Sequence, residues 1–253
     1  MLKIESFVTN SPEQWEIIIR GMRNPMNSWD RMDSVSTEGI EEPAVFELGP
    51  NDHKLAMQLS ENGPVHAKYR RMLDVIVEIT APLYWWKEFD TYKVGTVCNS
   101  CSTMHKIHAK EFTWDDFSFN KIFGSSVLVS DRIIKELNYW RDMYINGYNL
   151  EGEMSIPPRD KDVWWQMIQL LPSSYNQKRT VKISYEALAN MYTWRKNHKL
   201  DCWRTFCNWI EELPYSEIIT GDLSEEGIVD KLCEVGLPHA ITSDEIGKMV
   251  KGE

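Results

Sequence analysis

The sequence has no apolar run approaching the roughly 18 residues that would cross a bilayer, so no membrane span is expected. The opening stretch MLKIESFVTNSPEQ lacks the basic-then-apolar layout of a secretory signal. Cysteine is scarce: five in 253 residues, an odd number. That suits a reducing cytoplasm better than a disulfide framework. No G-x-G-x-x-G, P-loop, H-E-x-x-H or G-x-S-x-G is present. The usual evidence for common dinucleotide folds, P-loop NTPases, zincins and elbow-type serine hydrolases is therefore missing. Internal repeats and low-complexity tracts are missing too.

What is present is ordinary globular material. Hydrophobic residues make up 42% and charged residues 26%, which excludes a disordered chain, a collagen or a disulfide miniprotein. Tryptophan is the exception at 11 copies, enough large side chains for a heavy core. The net charge of -10 argues against indiscriminate binding to a nucleic-acid backbone. The charge is segregated. Residues 1–62 carry -6 and residues 211–253 carry -8, which leaves +4 on the stretch between. A mildly positive middle suits a small anion such as a nucleotide. Chance segregation of surface charge gives the same pattern.

Local signals place most elements. Ser11-Pro12-Glu13-Gln14 reads as a capping box opening a helix whose Trp15, Ile18, Ile19 and Met22 share a face. Residues 27–50 read as loop or short strand. A helix opens at Asn51 or Asp52 and stops at Gly63-Pro64. Residues 73–80 (LDVIVEIT) form a strand, and Ala81-Pro82 starts a helix through Asp90. Residues 92–97 suggest a short strand and 98–105 a polar loop. Ser130 caps a helix to about Ile145. Residues 152–158 form a hinge-like connector, and a short helix covers about 160–169. Residues 180–183 form a strand, Ser184 caps a helix to about Asn197, and a further helix spans about 200–212. The tail, about 215–253, reads as acidic and helical. Strands interleaved with helices predict an α+β or mixed α/β domain.

Several residues invite a chemical reading. Cys98, Cys101, His105 and His108 have the donor types of a zinc site. Only three residues separate the two pairs, too few to wrap an ion in the usual way; a polar loop with incidental thiols is the reading preferred, and no metal is expected. Arg195, Lys196, His198 and Lys199 crowd a helix end, where cations favour the helix dipole. Alternatively, Arg195 offers a planar fork to a phosphate, with Lys93 serving the same anion. Trp85-Trp86 and Trp164-Trp165 read as core and edge packing. Asn190 is disfavoured inside a helix by propensity, which suggests a specific hydrogen bond.

The order of these blocks resembles the flavin-dependent thymidylate synthases. That family has a His, a strand, an Ala-Pro pair opening a helix, a Gln-x-x-Arg-His-Arg segment, and a loop of the form S-x-N-E-x-S-x-R. Here His66 precedes the strand VIVEIT, then Ala81-Pro82, then a helix reaching Glu88. Thr91-Tyr92-Lys93 stands where Arg-His-Arg would be, and TVCNSCST at 96–103 matches the loop in length and polarity. It does so either without a gap, which puts Cys101 at the loop serine, or with a one-residue insertion, which restores Asn99-Ser100 and Ser102. In the second half, Leu171-Pro172 leads to Ser184, Leu188, Asn190 and Arg195, resembling the family's N-x-R-x-L-x-x-x-x-x-L-R helix. The matching blocks cover roughly 66–105 and 168–212.

The resemblance implies a single domain over 1–253 in which a mixed sheet is flanked by long helices, assembled as a homotetramer. It implies FAD as cofactor and methylation of dUMP to dTMP, with NADPH and methylenetetrahydrofolate as co-substrates. Carried over residue by residue, it assigns His66, Glu88, Tyr92, Asn99, Asn190 and His198 to FAD, and Lys93, Ser102 and Arg195 to the pyrimidine nucleotide. No protein nucleophile is assigned, since the flavin and the oriented pyrimidine carry the chemistry. The partners expected are a pyrimidine nucleotide and further copies of the chain, with neither nucleic acid nor membrane.

The departures are as specific as the matches. One positive charge remains of the Arg-His-Arg segment, the helix Gln is Glu88, and two further family arginines are Ile168 and Glu186. Each lost charged hydrogen bond weakens binding by ~1.5–3 kcal/mol, with Lys68, Arg70 and Arg71 as nearby replacements. Two alternatives follow: the same fold acting on another pyrimidine nucleotide, or a nucleotide-binding protein without catalysis.

Overall fold

The run Val75, Ile76, Val77, Ile79, Thr80 builds strand β4 (Asp74–Pro82), which alternates buried and more exposed residues as one face enters a core. The computed structural model describes residues 1–37, 43–149 and 155–221. Before β4 come β1 (Lys3–Thr9), α1 (Pro12–Met22), β2 (Val35–Ser36), β3 (Phe46–Glu47) and α2 (Pro50–Glu61). After it come α3 (Leu83–Phe89), β5 (Thr96–Ser100), α4 (Ser125–Asn146), α5 (Lys161–Leu170), β6 (Asn176–Ser184), α6 (Tyr185–Arg195), α7 (Asp201–Glu211) and α8 (Glu217–Thr220). The architecture is α+β, as the sequence predicts.

Four strands pair in the order β1-β4-β6-β5, and β2 pairs antiparallel with β3. The larger sheet is antiparallel, not mixed. Leu83 N–H donates to Tyr175 O at one end of β4, and Tyr185 N–H donates to Leu73 O at the other, so β4 and β6 run in opposite directions. The same test, Cys101 to Lys178 and Ser184 to Gly95, turns β5 against β6. Ser6 beside Glu78, and Asn10 beside Asp74, turn β1 against β4.

The chain sorts into two compact units. The first comprises Met1–Ser6, Val77–Thr91 and Cys98–Val181. Its core packs Ile107, Phe112, Phe117, Leu137 and Met167 between the long loop and helices α4 and α5. Trp85, Trp86 and Phe89 are almost fully buried, and the Trp86 indole donates to Gln177 O at 2.9 Å. Trp164 donates to Met104 O at 2.8 Å while Trp165 stays 38% exposed. The tryptophan pairs therefore pack as core and edge, as expected.

The second unit comprises Phe7–Ile76, Tyr92–Val97 and the residues from Lys182 onward. Trp15 stacks on Phe46 at 5.5 Å and meets Tyr215 edge-on at 5.3 Å, while Trp203 and Phe206 fill the interior beneath α7. The capping box of α1 forms as predicted. Ser11 Oγ accepts from Gln14 N–H, Gln14 Oε1 accepts from Ser11 N–H, and Trp15, Ile18, Ile19 and Met22 are buried.

Several element boundaries differ from expectation: β6 begins at Asn176 instead of Thr180 and α3 at Leu83 instead of Ala81, and four further differences have reasons the local sequence does not carry. Strand β1 was not expected; it is an edge strand, mostly exposed, without an alternating apolar stripe. Strand β5 starts at Thr96 and runs into the segment expected to be loop, again as an exposed edge. Helix α2 opens at Pro50 because Asp33, far back in the chain, accepts from the Asn51 and Asp52 N–H groups. Helix α4 opens at Ser125 after Gly124, whose φ of +59° ends the preceding loop; Ser130 lies inside it and is buried. The expected helices at 223–251 lie outside the described residues, as does part of the 152–158 connector. Among the described residues, no helix is long and apolar enough to cross a membrane.

Candidate functional site

Helix α6 sets up the cleft of the second unit. Ser184 caps it by accepting from Ala187 N–H at 3.3 Å, satisfying one of the free donors of the first turn. Its own N–H donates to Gly95 O at 3.1 Å. Gly95 has φ +78°, and a Cβ there would sit 2.7 Å from Ser184 Oγ. Only glycine lets the 92–95 segment approach the helix start this closely. Two segments about 90 residues apart in sequence thus converge.

The cleft beside this junction has a volume of about 800 Å³. The end of α2 supplies Met57, Ser60 and Glu61, and α6 supplies Asn190, Thr193 and Trp194. Ile218, Ile219 and Gly221 form the far end. Trp194 is 73% exposed and Val94 87% exposed, an open apolar surface that water leaves readily. Asn190 and Trp194, four residues apart, share a face of α6.

The cleft's polar groups are mostly committed to one another. Arg70, buried, pairs with Glu186 through Nε at 2.8 Å and Nη2 at 2.7 Å, and its Nη1 donates to Ile218 O at 3.1 Å. This guanidinium ties α6 to α8. Arg71 is exposed at the rim and donates to Pro64 O at 3.3 Å. Ser60 Oγ lies 2.7 Å from Tyr69 Oη, and both hydroxyls reach Ala56 O. Burial pushes the Tyr69 phenol up to about 12, so it remains protonated at neutral pH. These groups bind and orient; Ser60 and Ser184 are already engaged as hydrogen-bonding groups.

The sequence-derived candidates fall into separate places. Asn190 lines the cleft. Lys93 is exposed next to the lining residue Val94, and His66 is exposed on the turn that follows α2. Tyr92, Arg195 and His198 form an aromatic–cation cluster over α7. Arg195 Nε donates to Tyr92 Oη at 2.9 Å, its guanidinium lies 4.8 Å from the Trp203 ring, and His198 meets the same ring at 6.5 Å. Arg195 is not among the residues lining the cleft.

Glu88, Asn99 and Ser102 belong to the first unit. Glu88 is half-buried near the end of α3, and Asn99 is exposed on β5. Ser102 Oγ accepts from the N–H groups of Met104 and His105, stabilising its own turn. Among the described residues no group of His, Cys, Asp and Glu is placed to hold a metal ion, and Cys98 and Cys101 are exposed.

Sequence reasoning did not assign Ser60, Glu61, Thr193, Trp194 or the α8 wall to a site. The i, i+4 relation of Trp194 to Asn190 was the available signal; Ile218 and Ile219 left none, being apolar residues on a four-residue helix.

No family model matches the chain, and no curated protein matches it in sequence. Solved structures do match in fold. The flavin-dependent thymidylate synthase ThyX from Helicobacter pylori, complexed with FAD and dUMP, superposes with a TM-score of 0.56 at 14% identity, covering 87% of this chain and 97% of that one. A second structure of Helicobacter pylori ThyX with FAD and dUMP gives 0.55 at 14% identity over the same shares. At that identity the likeness is one of fold.

Proposed function

We propose that this chain is a divergent flavin-dependent thymidylate synthase-like protein of the cytoplasm, binding FAD and a pyrimidine nucleotide. The observation that carries the reading is the fold match over 97% of a protein solved with FAD and dUMP. The two sequence blocks in family order support it from an independent direction.

The cleft suits a flavin in kind. Trp194 offers an exposed indole face and Asn190, on the same helix face, a carboxamide. A flat heteroaromatic ring with an amide-like edge matches that pair. Arg71 at the rim and Lys93 beside Val94 are exposed cations open to phosphates, whereas Arg70 is held by Glu186. When bound, FAD supplies hydride chemistry that side chains lack. The chain's own part is to stack and orient through Trp194 and Asn190, to hold anions through Arg71 and Lys93, and to exclude water with the apolar α8 wall. The full reaction proposed is methylation of dUMP to dTMP with methylenetetrahydrofolate and NADPH, in a homotetramer.

A second reading, the same fold acting on a different pyrimidine nucleotide, is favoured by one observation. Glu186 stands where the family has an arginine, and it neutralises Arg70 in the cleft wall. A site with fewer free cations selects a different pattern of charge and hydrogen bonding. The alternative of nucleotide binding without turnover shares the same site.

An absorbance spectrum of the purified protein from the near-ultraviolet to the blue tests the cofactor, and melting temperature with dUMP against other pyrimidine nucleotides tests the substrate. The expected result is a yellow protein, or one stabilised by added FAD, with one nucleotide stabilising most. A colourless protein indifferent to FAD and to every pyrimidine nucleotide would overturn the proposal.

A further inference from the structure

A second cavity, about 790 Å³, lies in the second unit between the turn after α1 and the face of α2 that carries Asn51 and Gln58. In its wall sits Arg23, only 4% exposed. Its Nε donates to Asp52 Oδ1 at 2.5 Å. Nη1 reaches the carbonyl and hydroxyl oxygens of Ser28 only at 3.5 Å, beyond a normal hydrogen bond. Nη2 is buried and has no partner among the described residues. Asp52 is not available to it. That carboxylate is fully buried, and its second oxygen already accepts from Ser34 Oγ, Ser34 N–H and Asp33 N–H.

A buried guanidinium nitrogen with no partner, beside a second held only by long contacts to Ser28, is rare, because such groups nearly always find an acceptor. The edge formed by Nη1, weakly held, and Nη2, unpartnered, is a planar fork of N–H groups, the shape that matches two oxygens of one anion. Arg31 lines the same cavity, is exposed, and makes no ion pair with a described residue. The carboxamides of Asn27, Asn51 and Gln58 add to the polar lining, in which Asp30 is the sole carboxylate among the described residues.

We propose that this cavity binds the phosphoryl group of a small molecule, with two oxygens on the Arg23 fork and the third toward Arg31. The cavity is much larger than one phosphate, so the rest of the molecule is sugar-sized and polar. The amides hydrogen-bond to it, and Asp30 accepts from a hydroxyl. Inorganic phosphate and a sugar phosphate share the chemistry read by the two arginines. The site is distinct from the α6 cleft. Helix α2 presents Asn51 and Gln58 here but Met57, Ser60 and Glu61 there. The proposal therefore does not rest on the flavin reading.

Titration calorimetry of the full chain with ribose 5-phosphate, inorganic phosphate and ribose tests it. Ribose 5-phosphate should bind, and ribose should not. Phosphate binding as tightly as the ester would support the site and name the free ion as its ligand. Arg31→Gln, at an exposed position, should weaken binding about tenfold or more, the effect of one charged hydrogen bond. Lys135→Gln, at an exposed position on α4 away from both cavities, should leave binding unchanged. Arg23→Lys keeps a cation beside Asp52 but removes the fork, and should abolish binding if the variant folds; if it does not, Arg31→Gln decides the matter alone. No heat with either phosphate, or undiminished binding by Arg31→Gln, would overturn the proposal.

Discussion

Arg195 and Tyr92, 103 residues apart in the chain, meet through a hydrogen bond of 2.9 Å from the guanidinium Nε to the phenol oxygen. The same guanidinium lies over Trp203 at 4.8 Å. A cation on an aromatic face adds about 0.5–1 kcal/mol at a partly exposed site. The contact therefore fastens the 92–95 segment to α6 and α7, and gives Arg195 a structural task whatever ligand it meets. Tyr92→Phe removes the acceptor alone and should cost about 1 kcal/mol in urea unfolding; an unchanged midpoint would mean that the ring contacts carry the junction.

Gly95 is the second fastening of that segment. Gly95→Ala must place a Cβ at positive φ and 2.7 Å from Ser184 Oγ. We expect a loss of about 1–3 kcal/mol, seen as a lower melting temperature, with ligand binding at the cleft weakened in parallel. A melting temperature equal to the parent's would show that the Ser184 cap can give way.

The Arg70–Glu186 pair is shielded on both sides, with side-chain exposures of 9% and 19%. Removing one partner leaves a charge with little access to water, at a cost of about 3 kcal/mol or more. Arg70→Met should cost more than Glu186→Gln, because Arg70 also holds the Ile218 carbonyl. The double variant Arg70→Met/Glu186→Gln should recover part of the loss, measured as a coupling free energy in a double-mutant cycle. Simple additivity would rule out an interacting pair.

Asp52 predicts an acid limb. Burial alone would raise its carboxyl, but the Ser34 hydroxyl, the Arg23 guanidinium and the N–H groups of Asp33 and Ser34 outweigh burial and hold it below the usual value. A folded pKa below the unfolded one, near 3.9, means that the stabilisation is complete above that pH and is lost as the pH falls through the folded pKa. Asp52→Asn should be less stable at pH 7 and show a flatter decline below about pH 4. Parallel acid profiles for parent and variant would remove Asp52 from the account.

The sequence by itself determined what depends on near neighbours. The α1 capping box, the β4 strand, the Ser184 start of α6 and the α+β class were legible, because caps and periodicity act over three or four residues. The order His66, strand, Ala81-Pro82 and the α6 helix also pointed to the fold that the solved structures match. The tertiary structure decided the rest. It made edge strands of β1 and β5, which carry no apolar alternation, and it capped α2 from Asp33. It also spent Arg70 on Glu186, and set Arg195 against Tyr92 and Trp203 instead of in the cleft lining. Each of these is a pairing between distant segments. Its strength comes from burial and from a partner's position, and neither quantity exists until the chain has closed on itself.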